Sequence, residues 1–175
     1  MKILGLPGIN PVTGPWMQRL LGSIDLNQSG SIVQQYQCWA VPGTKINLAV
    51  EAGIAAKAEP DIVIAKSIGT RVAIYSFTNG LISPHACIFL GIPLRGCSND
   101  EISALQKLCT SVPTLLVQQT DDPAGSFSTL ASGIPASPTC TTSEVPGNDH
   151  VYGNIDQLKQ IIEPWYKTIS GRHLK

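Results

Sequence analysis

The sequence lacks an excess of charge of either sign and lacks any run of basic residues. Lysine and arginine together number 12, as do aspartate and glutamate, in a chain of 175 residues. Nucleic acids and anionic membrane surfaces attract proteins mainly through clustered positive charge. We therefore expect neither a nucleic acid nor a membrane among the partners of this protein.

Long apolar runs are also missing. No segment approaches the roughly 20 apolar residues that a membrane-spanning helix needs. The apolar run after Met1 is too short for a secretory signal, and it is better interpreted as the first strand. We expect a cytoplasmic protein. The sequence shows no repeat, low-complexity tract or linker, so we expect one domain over residues 1–175.

Cysteine is present in an odd number, five, with no C-x-x-C pair. This spacing argues against a zinc site and favours free thiols in a reducing compartment. Cys38, Cys87 and Cys140 fall within predicted strands, where a thiol behaves as a small apolar group. Cys97 lies in a predicted loop and is the thiol with the most scope for reactivity. We predict no metal and no cofactor.

Strand-like apolar stretches alternate with stretches of helical periodicity along the chain. This alternation is typical of an α/β fold with a mostly parallel sheet and helices on both faces. We predict six strands, at residues 2–6, 32–40, 61–66, 86–91, 114–118 and 137–142. We predict six helices, at residues 14–21, 47–58, 68–78, 100–110, 127–132 and 155–170.

The most informative segment is the junction between the third predicted strand and the helix after it. The apolar, β-branched residues 62–64 are strand-like, and Ser67 stands between them and the helical pattern. Ala65 and Gly69 flank Ser67 two residues on either side. A sharp strand-to-helix turn needs such small residues because neighbouring backbones come close, and it exposes the serine hydroxyl. The segment therefore predicts Ser67 as a nucleophile.

Two other interpretations of this junction compete. A serine before a helix is often only an N-cap. Lys66 and Ser67 also resemble the end of a phosphate-binding loop, but that motif needs glycine where the chain has Pro60 and Ala65. The phosphate loop is excluded, and the N-cap remains an alternative.

The residues that would activate a serine follow in the order acid, then histidine. Asp121 and Asp122 come directly after the fifth predicted strand, and His150 follows the sixth. Open α/β sheets keep their sites at the carboxyl ends of the strands. His150 would act as the general base, and an aspartate would orient its imidazole. We predict no catalytic role for His85 or His173.

With these residues in place, the chain resembles the compact serine hydrolases of the α/β-hydrolase superfamily and is similar to the small retinoblastoma-binding-protein type. The matching segments span nearly the whole chain in order, at residues 4–10, 65–69, 120–123 and 147–150. In the fold that the chain resembles, the acid commonly stands before a proline. The resemblance therefore favours Asp122, which precedes Pro123, with Asp121 as the alternative.

A serine hydrolase also needs donors for the negative charge that develops on the substrate's carbonyl oxygen. The backbone N–H of Ile68, at the start of the helix after Ser67, is one predicted donor. The loop after the first strand would supply the other, at Ile9 or, as the next choice, at Asn10. Considered alone, this loop is explained equally well as a turn rich in glycine and proline.

The sequence thus favours a serine hydrolase that cleaves esters or thioesters of a small acyl group through an acyl-serine intermediate. Between Gly91 and Pro113 there is room for only one helix, so we expect an open, shallow site without a helical cap. Two departures from the family pattern are Lys66 before the nucleophile and a first loop without a His-Gly pair. They keep an alternative open, a binding or regulatory protein with the hydrolase fold and little or no activity.

Overall fold

The computed structural model describes residues 1–26, 30–41 and 43–171. Six strands in these ranges form one sheet: β1 (Lys2–Leu6), β2 (Gly30–Val33), β3 (Ile62–Lys66), β4 (Ala86–Leu90), β5 (Thr114–Gln119) and β6 (Cys140–Val145). Every neighbouring pair is parallel, and the order across the sheet is β2-β1-β3-β4-β5-β6. The predicted α/β fold with a mostly parallel sheet of six strands is confirmed.

Helices connect the strands within the described ranges. They are α1 (Thr13–Ser23), α2 (Gln37–Ala40), α3 (Leu48–Ala56), α4 (Ile68–Thr78), α5 (Asn99–Ser111), α6 (Phe127–Gly133) and α7 (Ile155–Ser170), with a short 3-10 helix at Leu94–Gly96. None of these helices is long and apolar enough to cross a membrane.

The sheet is covered on both faces because successive residues of a strand point to opposite sides. In β3, Val63 and Ala65 pack with α3, α4 and α5, whereas Ile62 and Ile64 pack with α1 and α7. Every residue of β3 and β4 is buried. Such continuous burial is typical of a parallel sheet between two helical layers.

The prediction of a strand over residues 32–40 is wrong after Val33, and the strand begins two residues earlier, at Gly30. Strand β2 ends at Val33, and the segment that contains Cys38 forms α2 instead. This segment is held by contacts outside the sheet. The Tyr36 hydroxyl donates to the carbonyl of Pro7 at 2.8 Å. The Tyr36 ring also meets Trp39 edge to face, with 5.1 Å between ring centroids.

The last predicted strand is displaced by three residues. Residues 137–139 form a turn, closed by the N–H of Cys140 donating to the carbonyl of Ser137 at 3.1 Å. Strand β6 then runs to Val145 at the edge of the sheet, with most of its residues partly or fully exposed. An edge strand of this kind has a weak apolar pattern, so its limits are poorly marked in the sequence.

The order of the strands places a crevice beside β1. The chain passes from β1 to β2 on one side and then to β3 on the other side of β1. Connections at such a reversal diverge, and they leave an opening at the carboxyl ends of the two central strands. The loop after β1 and the junction after β3 both face this opening.

Candidate active site

The junction at Ser67 is a sharp turn from β3 directly into α4. Ser67 has a left-handed backbone, with φ at 53°, which is uncommon for a residue other than glycine. Its N–H donates to the carbonyl of Leu90 at 3.0 Å, but its side chain makes no capping bond to α4. Ser67 therefore occupies the N-cap position of α4, but helix capping does not account for its hydroxyl.

Gly69 makes this turn sterically possible. A Cβ at Gly69 would collide with the carbonyl oxygen of Leu6 and would lie 2.7 Å from that of Pro7. The start of α4 therefore packs directly on the backbone at the end of β1, where only glycine fits. This contact brings the loop after β1 next to Ser67.

Three side chains from three separate segments form one hydrogen-bonded line. The Nε2 of His150 lies 2.8 Å from the Oγ of Ser67, and its Nδ1 lies 2.8 Å from each carboxylate oxygen of Asp122. A neutral imidazole that carries its proton on Nδ1 donates to Asp122 and accepts from the Ser67 hydroxyl. The tautomer is assigned from these contacts.

The structure brings Asp122, and not Asp121, to the imidazole. The Asp122 side chain is completely buried, and its Oδ1 also accepts from the N–H of Ala124 at 2.8 Å. Asp121 is exposed, and its N–H donates to the carbonyl of Gly147 at 3.0 Å. Pro123 has no N–H, so the next residue, Ala124, supplies the backbone donor for the carboxylate.

Tyr152 is a member of this network that the sequence analysis missed. Its hydroxyl donates to the Oδ2 of Asp122 at 2.8 Å and accepts from the N–H of Gln119 at 2.8 Å. Burial, followed by the hydrogen bond to Asp122, raises the pKa of Tyr152, so the phenol stays protonated. Tyr152 therefore ties the acid to the end of β5.

Gln119 holds the segment that carries the histidine. Its Oε1 accepts from the N–H of His150 at 2.9 Å and from that of Asp149 at 3.2 Å, while its Nε2 donates to the Asp149 carboxylate at 2.9 Å. A hydrogen bond from the N–H of Val151, then that from Gln119, lowers the pKa of Asp149. His150 itself is left-handed, with φ at 60°, so its loop needs such support.

The loop after β1 lines the same cleft as Ser67 and is held by side-chain hydrogen bonds. Thr13 Oγ1 donates to the carbonyls of Gly8 and Asn10 at 2.9 and 2.6 Å, and Trp39 Nε1 donates to that of Ile9 at 2.7 Å. No acceptor in the described part of the chain is hydrogen-bonded to the N–H of Ile9 or Ile68. These two groups are therefore available to an acceptor on a bound molecule.

A cleft of about 430 Å³ opens over Ser67 and His150. Three exposed aliphatic side chains, Ile9, Val12 and Val151, surround its mouth. Between β4 and β5 the described chain has the short 3-10 helix and α5, with no helical cap over the cleft. The expected open site without a cap agrees with this arrangement.

A second cavity, of about 470 Å³, lies at the opposite end of the strands from the cleft, where β3 and β4 begin at Ile62 and Ala86. His85 contributes to its lining and is 3.7 Å from the Asp61 carboxylate. His173 lies outside the described residues. Nowhere in residues 1–26, 30–41 and 43–171 do three histidine, cysteine or acidic side chains cluster as metal ligands would.

The fold and part of the sequence match known hydrolases. The chain is similar to MGS-MChE2, an alpha/beta hydrolase enzyme from the metagenome of sediments of the Mar Chica lagoon in Morocco. The TM-score is 0.66 at 11% identity, over 96% of this chain and 91% of that one. It is also similar to Est816, an N-acyl homoserine lactone degrading enzyme, with a TM-score of 0.65 at 14% identity over 94% and 92% of the two chains.

A third similar structure is YbtT, a type II thioesterase from the yersiniabactin biosynthetic pathway. Its TM-score is 0.52 at 13% identity, over 97% of this chain and 92% of that one. No curated protein matches the chain in sequence. The family model of the alpha/beta hydrolase domain, however, matches residues 44–161, which include Ser67, Asp122 and His150. The chain therefore belongs to the alpha/beta hydrolase family.

Proposed function

We propose that the protein is a serine hydrolase that cleaves ester or thioester bonds of small acyl substrates. The observation that carries this proposal is the hydrogen-bonded line from Ser67 through His150 to Asp122, in which each contact measures 2.8 Å. Nucleophile, base and orienting acid are the roles that these residue types fill in this arrangement.

In the proposed reaction, the Nε2 of His150 takes the hydroxyl proton as the Oγ of Ser67 attacks the carbonyl carbon. The tetrahedral intermediate then loses its alcohol or thiol, which leaves with the proton from His150 and gives an acyl-serine. Water attacks this ester with His150 again as the base, and the acid product and free Ser67 result. Asp122 stabilises the imidazolium that forms in both halves of the reaction.

The N–H groups of Ile9 and Ile68 are the proposed donors to the oxyanion. Ile9 lies in the loop after β1, which lines the same cleft as Ser67, and Ile68 is the first residue of α4, where the helix dipole also favours negative charge. In acyl-transfer enzymes, one such donor stabilises the transition state by about 3–4 kcal/mol. Asn10 remains the second choice for the loop donor.

The similar structures agree with the proposed bond types. Est816 is described as degrading a lactone, which is a cyclic ester, and YbtT is a thioesterase. Both reactions transfer an acyl group to water, which is the chemistry proposed for Ser67. At 14% and 13% identity, these similarities establish the fold alone, so the bond type rests on the geometry of the cleft.

A fluorophosphonate probe tests this proposal. We expect the wild-type protein to bind one phosphonyl group per chain and to lose its hydrolysis of a short-acyl aryl ester in parallel. Absence of both labelling and hydrolysis would contradict the proposal and would support the alternative of an inactive binding or regulatory protein.

The open cleft predicts a preference for short acyl chains. A pocket without a cap covers little of a long alkyl chain, so additional methylene groups gain little binding energy. Acetyl and butyryl aryl esters should therefore have a higher kcat/KM than esters of about ten carbons or more, with no activation by lipid interfaces. A clear preference for the long esters would contradict the open-site description.

A further inference from the structure

Lys66 is a buried lysine directly before the proposed nucleophile. It ends β3 on the same face as Ile62 and Ile64, and only 4% of its surface is exposed. Lysine is almost never buried to this extent without a partner of opposite charge. The aliphatic stem of Lys66 continues the apolar stripe of β3, but this packing does not explain its charged end.

The ammonium group of Lys66 has an unusual set of neighbours. Its Nζ donates to the backbone carbonyl of His150 at 2.9 Å and lies 5.6 Å from the ring centroids of both Trp16 and Tyr152. No carboxylate in the described ranges lies within 4.0 Å of it. Two aromatic faces and one carbonyl thus hold the cation in place of an acidic partner.

This arrangement costs stability, because a charge without an ionic partner loses its hydration on burial. Burial outweighs the attraction of Asp122 and Asp149 and lowers the pKa of Lys66 to about 8. A methionine would fill the same space without this cost. The lysine is therefore explained better by what its ammonium does than by packing.

Charged and titratable groups face Lys66 from three directions. Arg19 of α1 lines the cleft over Ser67 together with Lys66. Asp122 lies after β5. The segment after β6 contributes Asp149, His150 and Tyr152. The contact to His150 is the one direct hydrogen bond among these neighbours, and it joins the residue before the nucleophile to the residue of the base.

His150 is fixed on both sides of its backbone. Gln119 accepts from its N–H at 2.9 Å, and Lys66 donates to its carbonyl at 2.9 Å. The left-handed backbone at this residue would relax to a more favourable region if the support were lost, and the ring would turn with it. A hydrogen bond from an ammonium is about twice as strong as one from a neutral donor.

We propose that Lys66 is a positioning residue whose ammonium holds the carbonyl of His150 and thereby keeps the imidazole against Ser67. This inference rests on the proposed function, because the orientation of His150 matters only if the imidazole acts as a base. It assigns a role to a residue that, in the sequence, was merely a departure from the family pattern.

Two variants of Lys66 separate positioning from packing. Lys66→Met keeps the length of the stem and removes the donor, whereas Lys66→Arg keeps the charge and N–H donors. We expect Lys66→Met to lower kcat by about 10- to 100-fold, because a small displacement of a catalytic group has effects of this size. KM should change by less than about threefold, and Lys66→Arg should recover most of kcat. As a control, Lys159→Met on α7, where the lysine is partly exposed and away from the cleft, should leave kcat unchanged.

Thermal stability should change in the opposite direction from kcat in the Lys66→Met variant. The Tm of Lys66→Met should equal or exceed that of the wild type at about pH 7, although kcat is lower. The unfolded chain binds the Lys66 proton more tightly than the folded protein between pH 8 and 10.5, so the folded wild type gains stability as the pH rises through this window. The advantage of the variant should therefore shrink toward about pH 10.

The outcomes distinguish this inference from the proposed function. If Lys66→Met is at least as active as Lys66→Arg, Lys66 is a packing residue and the positioning role is overturned. A fluorophosphonate reaction of equal rate in wild type and Lys66→Met would overturn it as well, while leaving the proposed function intact. A wild-type protein that does not react at all would instead remove the proposed function and this inference with it.

Discussion

Ser67→Ala is expected to abolish fluorophosphonate labelling and to lower ester hydrolysis by on the order of 10⁶-fold. The substitution removes only the hydroxyl group, which is the proposed nucleophile. The Tm should fall by only a few degrees, because one half-exposed hydrogen bond to His150 contributes about 1 kcal/mol to stability.

Ser132→Ala is the matched control for this experiment. Ser132 is exposed on α6, and its hydroxyl donates to the carbonyl of Thr129 at 3.1 Å, away from the cleft. This variant should label and hydrolyse esters as the wild type does. Labelling that persists in Ser67→Ala would place the nucleophile elsewhere.

Asp122→Asn is expected to lower kcat by about three to four orders of magnitude, as loss of the orienting acid does in serine hydrolases. The Asp122 side chain is completely buried, and it accepts from the His150 ring, from Tyr152 and from Ala124. An amide in its place would turn an N–H₂ donor toward one of these donors. The imidazole would then lose the correct tautomer together with the charge that stabilises its protonated form.

The adjacent Asp121→Asn makes the same chemical change at an exposed residue and should lower kcat by about tenfold or less. Measuring both variants on one activated ester compares a buried carboxylate that meets the imidazole with an exposed neighbour that does not. The opposite ranking would transfer the role of the acid to Asp121.

The sequence predicts the centre of the sheet better than its edges, for a physical reason. Strands β3 and β4 are buried on both faces, so their residues form continuous apolar runs that are easily recognised. Strands β2 and β6 are edge strands with exposed residues, and their pattern is diluted by polar side chains. The predicted limits fail at these two strands.

Among the proposed catalytic side chains, Ser67 and Asp122 could be chosen from the sequence because each follows a buried strand, and His150 because it comes after the last predicted strand. Ser67, Asp122 and His150 have the residue types and the order that the chemistry needs, and the fold brings them into contact. Neighbouring small residues and Pro123 supplied additional local signals. Their catalytic roles remain predictions for the variants above.

The supporting residues carry no comparable signal. Tyr152 and Gln119 are hydrogen-bonded to each other although they are 33 residues apart in sequence, and neither is part of a short motif. The burial of Lys66 depends on Trp16 and Tyr152, whose rings only the folded chain brings close to its ammonium. Such residues are recognised only when the packing around the strand ends is known.

Direct capture of the acyl-enzyme tests the central claim, that Ser67 forms a covalent ester with the substrate. The wild-type protein is mixed with an acetyl aryl ester, the reaction is stopped with acid during the first turnovers, and the modified peptide is sequenced by tandem mass spectrometry. We expect one acetyl group on Ser67, and none in the same peptide of Ser67→Ala. Acetylation of Lys66 or Cys97 without acetylation of Ser67 would contradict the account.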